Sequence, residues 1–74
     1  MARALHVLKR GDHALALATI EQQVGAGDSV IVAVLPGAAA PTVPAGVAVH
    51  RVPDDWSYER LLEAMFEADQ VAAW

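Results

Sequence analysis

No cysteine occurs in the 74 residues of this chain, so its own side chains can neither form a disulfide nor present a sulfur nucleophile. Aromatic residues are also scarce, at 5% of the chain, and only one tyrosine, one phenylalanine and two tryptophans are present. Cations are outnumbered, with five Lys and Arg against nine Asp and Glu, a formal net charge of −4. That balance opposes non-specific grip on a nucleic-acid backbone, which requires clustered Lys and Arg. Long apolar runs are missing too. The longest, residues 30–35, is far too short to span a bilayer. Arg3 lies near the start, but no apolar stretch of signal-peptide length precedes the polar residues 9–12, so the sequence predicts no export signal and a cytoplasmic location. The three histidines, His6, His13 and His50, stand at no metal-type spacing, and neither a metal nor another cofactor is expected.

The chain is instead rich in Ala and Val and 55% hydrophobic overall, which argues for a packed core rather than disorder. Residues 1–74 make a single domain, near the size at which one core supplies only roughly 3–5 kcal/mol of net stability. Such short chains commonly draw on a disulfide, a metal or a partner. With the first two set aside, self-association or docking onto another subunit is the remaining route.

Residues 4–8 form a short apolar run that reads as a buried strand, followed by a turn at Lys9, Arg10, Gly11 and Asp12, where Asp12 can cap a helix. Residues 13–24 are strong helix formers, with Leu17, Ile20 and Val24 on one stripe, and Gly25, Ala26 and Gly27 stop the helix. Residues 29–35 are β-branched or apolar at nearly every position, the pattern of a strand covered on both faces. The three elements make a βαβ unit with a right-handed crossover and parallel strands. Residues 36–46, with Pro36, Pro41 and Pro44, are too broken for a regular element. Residues 47–52 alternate as a third strand. Tyr58, Leu61, Leu62, Met65 and Phe66 then recur at the spacing of the strongest amphipathic helix in the chain, with Asp55 or Ser57 as its N-cap. Residues 69–74 read as a short tail. The predicted fold class is α/β: a small three-layer sheet of about three mainly parallel strands with two main helices.

In parallel sheets, ligands gather beyond the carboxyl ends of the strands. Lys9, Arg10, Gly11 and His13 follow the first strand, where two cations before a helix N-terminus could hold a phosphate or carboxylate, although the glycine pattern is neither a Walker loop nor a dinucleotide fingerprint. A solvated, helix-capping turn explains the same residues. His6 and His50 each lie in an apolar strand; on one face they could meet as a pH-responsive or general-base pair, and apart they are hydrogen-bonded packing residues. Asp54 and Asp55 precede a helix, which helix capping explains. Trp56 and Trp74 lie near helix boundaries or the tail, where tryptophan either anchors an interface or covers a thin core. No arrangement of side chains points to catalysis.

The chain resembles the DsrH/TusB proteins of the DsrE/F/H-like sulfur-relay superfamily. The features that carry the resemblance are His6 after Leu5 in the first strand, Gly27 and Asp28 before an apolar strand, and the turn at Gly37 and Ala38. The closing stretch adds Tyr58, Leu61 or Leu62, Gln70 and the final Trp74. It implies a flavodoxin-like three-layer fold and hetero-oligomers with cysteine-bearing DsrE/F-like subunits. Such assemblies pass persulfide sulfur towards 2-thiouridine formation in tRNA or act in sulfur oxidation. Members run to about a hundred residues, so residues 36–46 are expected to span the place of a missing strand–helix unit. Because the superfamily's chemistry depends on a cysteine persulfide, the resemblance implies for this chain a non-catalytic assembly or regulatory subunit. No catalytic residue carries over. The expected interface residues are Trp56, Tyr58 and Trp74, with homo-oligomerisation as another form of assembly and no direct nucleic-acid or membrane binding. The alternative expectation is a stand-alone module that binds an anion at the turn of Lys9, Arg10 and Gly11.

Overall fold

The computed structural model describes residues 2–74. Six elements follow one another: β1 (Arg3–Leu8), α1 (Ala14–Gly25), β2 (Ser29–Val34), β3 (Ala48–Arg51), α2 (Tyr58–Glu67) and β4 (Gln70–Ala73). The strands form one sheet in the order β3-β2-β1-β4, and every neighbouring pair is parallel. The expected α/β class with two helices is present, with four strands instead of about three.

The additional strand is β4, in the stretch that the sequence presents as a tail. Gln70, Val71, Ala72 and Ala73 pair with Ala4, Leu5, His6 and Val7. Val71 is the only β-branched residue of the four, so local propensity carries little strand signal. Pairing with β1 forms the strand, and β1 lies at the opposite end of the chain.

Local signals account for the helix ends. The Asp12 carboxylate accepts from the Ala14 N–H at 3.0 Å, which satisfies one of the unpaired donors at the start of α1. At the other end, Gly27 N–H donates to Val24 O and Asp28 N–H donates to Gln23 O, both at 3.0 Å. This crossed pair requires Gly27 at φ +88°, a backbone region costly for residues with a Cβ. α2 is capped by Ser57, whose hydroxyl accepts from Arg60 N–H at 3.0 Å. Asp55 does not cap α2. Its carboxylate accepts from Arg51 N–H at 2.8 Å and closes the turn after β3. Removing the Ser57 hydroxyl with Ser57→Ala is therefore expected to cost about 1 kcal/mol. A urea titration measures this, and an unchanged midpoint would show that the cap contributes nothing.

Side chains alternate across the sheet and build two cores. Ala4, Leu8, Val30, Val32 and Val34 meet Ala16 and Ile20 of α1 on one face. Leu5, Val7, Ala33 and Val52 meet Leu61 and Ala64 of α2 on the other. The result is three layers, with one helix on each side of the sheet. The β2–β3 connection contains neither helix nor strand, yet its Ala38, Val43 and Val47 pack on the α1-side core. The loop thus covers the sheet beside α1 in place of a helix. The two crossovers on the α1 side step from β1 to β2 to β3. The crossover through α2 steps back to β4 over the other face, so all three share one hand, as strand twist requires. Among the described residues, no helix is long and apolar enough to cross a membrane.

Candidate functional site

Apart from a packed column of His50 and Trp56, the residues singled out in the sequence fall into three separate places. The first is a polar chain inside the α1 face. His6 is 1% exposed, the one buried polar side chain among the described residues. Its Nδ1 accepts from the indole N–H of Trp74 at 2.9 Å, and its Nε2 lies 2.6 Å from Gln23 Oε1. An indole N–H can only donate, so Nδ1 carries no proton and Nε2–H donates to the Gln23 carbonyl. The Gln23 amide in turn donates to Gln70 Oε1 at 3.3 Å. Trp74, β1, α1 and the first residue of β4 are thereby joined in one directional chain. The Trp74 ring lies nearly parallel to the imidazole, with centroids 6.0 Å apart, and packs against the α1-side core. Both histidine nitrogens are committed, which leaves no lone pair for a general base.

His50 lies on the other side of the sheet. His6 pairs with Val32 and His50 with Ala33, adjacent residues of β2 whose side chains point to opposite faces. The two imidazoles therefore do not meet. His50 instead stacks on Trp56 with centroids 4.3 Å apart, and the Arg60 guanidinium lies 5.1 Å from the Trp56 ring centroid. This column fastens the start of α2 to β3, and it holds Trp56 half-buried as a packing residue.

The second place is the outer face of α2. An amphipathic stripe ordinarily faces the core. Here Leu61 and Ala64 take that position, while Tyr58 is 58% exposed, Leu62 55%, Met65 38% and Phe66 84%. Spacings of four, seven and eight residues place these four on one stripe. Acidic residues surround it. Glu59, Glu63 and Glu67 lie on the same helix, Asp54, Asp55 and Asp69 flank it, and Arg60 is the only cation between residues 54 and 69. Arg60 itself bonds Glu67 at 3.1 Å and approaches Glu63 at 3.9 Å. Next to the helix, β4 is an edge strand with Val71 41% exposed. Of the expected interface residues, Tyr58 is the one that faces outward. Leu62, Met65 and Phe66 join it, and their spacing is visible in the sequence although its direction is not.

The third place is the carboxyl edge of the sheet. Lys9, Arg10, Gly11 and His13 lie there, beyond β1. His13 Nε2 approaches the Lys9 carbonyl at 2.5 Å, and Asp12 holds the first N–H of α1. The turn is thus closed on itself. Arg10 crosses from it to the β2–β3 connection, where its guanidinium lies against Gly37. A concavity of about 280 Å³ opens there, lined by residues 34–38 and 51–54. Among the described residues, no three His, Asp or Glu side chains gather as a metal site.

No family model matches the chain, and no curated protein or solved structure matches it either.

Proposed function

We propose that this protein is a non-catalytic assembly subunit that docks through the outer face of α2 onto a partner, as the DsrH/TusB resemblance implies for a sulfur-transfer complex. The observation that carries this reading is the exposed stripe of Tyr58, Leu62, Met65 and Phe66 on a domain of only 74 residues. Contiguous apolar surface of this kind, rimmed by polar groups, marks interaction sites. The acidic rim selects a partner whose matching groove is bordered by Lys or Arg, because opposite potentials steer encounter and like charges suppress wrong pairs. It disfavours symmetric pairing of two copies through antiparallel α2 helices, which would bring the Glu59 and Glu63 flanks together. The cysteine-bearing DsrE/F-like subunits are the proposed partners, since the thiolate chemistry absent here must reside in another chain.

Two further features support the resemblance. The histidine of the first strand and the terminal tryptophan, which help carry it in the sequence, are bonded to each other at 2.9 Å. The three-layer arrangement with a parallel sheet also suits a flavodoxin-like architecture that is shortened between β2 and β3. In this reading Trp74 supports the assembly from within, by holding β4 on β1, and the contact itself is made by Tyr58 and its neighbours. Co-expression with a cysteine-bearing DsrE/F-like pair, followed by size-exclusion chromatography, tests the proposal. Co-elution in a fixed stoichiometry is expected. Elution of this chain as a separate monomer overturns it.

A further inference from the structure

The cations at the carboxyl edge have no role in that docking face. We infer that the concavity between the β2 and β3 ends, lined by Arg51 and with the Arg10 guanidinium lying against its Gly37, binds a small phosphate-type oxyanion. Three observations converge on it. It lies beyond the carboxyl ends of parallel strands, where α/β sheets place their ligands. Arg51 belongs to its lining, and Arg10 approaches from the β1 loop onto Gly37, which lines it too. Finally, the ion pairs among the described residues all belong to Arg60, so neither Arg10 nor Arg51 has a carboxylate within 4 Å.

Gly37 is what allows Arg10 to lie there. A Cβ at this position would stand 2.8 Å from one guanidinium nitrogen and 3.1 Å from Nε, and the residue's φ of +88° already favours glycine. The guanidinium therefore rests on bare backbone with its charge unneutralised. A planar fork of this kind suits two oxygens of a phosphate, in hydrogen bonds strengthened by charge. The volume is below that of typical sites for drug-sized ligands, which favours an inorganic or monoester phosphate over a dinucleotide. Asp54 also lines the concavity and opposes a multiply charged anion. With a net charge of −4, the chain is a poor match for a phosphodiester polymer.

The test is a titration of the intact protein with inorganic phosphate at constant ionic strength, followed by amide and arginine Nε–H NMR shifts. Saturating shifts at Gly37, Ala38, Arg51 and the Arg10 side chain are expected. Arg10→Gln should weaken binding about tenfold, equivalent to about 1.4 kcal/mol. Asp54→Asn should tighten it. Arg3→Gln removes the same charge from the amino end of β1 and should leave the affinity unchanged. Shifts that rise linearly without saturating overturn the inference, as does an Arg3→Gln effect equal to that of Arg10→Gln. Neither result bears on docking through α2, so this site and that interface stand or fall separately.

Discussion

Replacing Trp74 with phenylalanine is expected to remove about 1–3 kcal/mol of stability, because His6 Nδ1 would then be a buried acceptor with no donor. The ring stays largely filled, so the effect comes mainly from the lost indole N–H. For a domain of this size, with roughly 3–5 kcal/mol in total, that loss would leave a substantial unfolded population. The same bond holds the end of β4 in place, so amide exchange in β4 should accelerate more than exchange in β2. A second substitution separates the bond from general packing. Removing both polar partners, with His6→Leu in the Trp74→Phe background, should cost less than the two single effects summed, since neither the indole N–H nor the imidazole Nδ1 is then left without its partner, and the loss of the bond to the half-buried Gln23 carbonyl is common to both His6→Leu proteins. Urea titrations of the four proteins measure the coupling. If Trp74→Phe unfolds at the wild-type midpoint, the bond does not hold the strand.

Changing Leu62 and Phe66 together to glutamine is expected to abolish partner binding and leave the fold intact. Both side chains lie mostly in solvent, at 55% and 84% exposure, and surface substitutions of this type usually shift stability by no more than about 0.5 kcal/mol. Glutamine is a good helix former and adds no charge, so neither helix propensity nor the acidic rim changes. At an interface the same residues would be central anchors, and losing such an anchor costs about 2 kcal/mol or more, roughly a thirtyfold drop in affinity for each. Leu61→Gln is the contrasting variant. Leu61 is 8% exposed and packs on Leu5, Val7 and Ala33, so that change should unfold the domain. Binding should also weaken as salt is raised, because the Glu59, Glu63 and Glu67 rim is exposed to screening. A double variant that binds the DsrE/F-like pair as tightly as wild type, with its fold verified by NMR, would remove α2 from the interface.

Some of this was legible in the residues and some was not, for definite reasons. The strands β1 and β2 were readable because an apolar strand buried on both faces carries its signal in every residue. α1 was readable because Asp12 and the pair Gly25 and Gly27 mark its ends with local backbone chemistry. β4 was not. Gln70, Val71, Ala72 and Ala73 become a strand only through hydrogen bonds to Ala4, Leu5, His6 and Val7, and no short window contains that pairing. The histidines show the same limit. Composition places one in each of two strands, but only the register decides that His6 faces α1 and His50 faces α2.

At the candidate sites the sequence alone determined the chemistry available: no thiol, few cations, one acidic amphipathic helix and two tryptophans. The tertiary structure decided where that chemistry points. Leu61 and Leu62 are neighbours in sequence, yet about 100° of helix rotation separates them, so one is buried and the other is exposed. That rotation follows from the small Ala64 seated against the sheet and from the stack of His50, Trp56 and Arg60 at the helix start. The first is a contact between distant segments, and the second joins β3 to α2 across the turn between them. They turn a stripe that the sequence displays into a surface that only the folded chain presents.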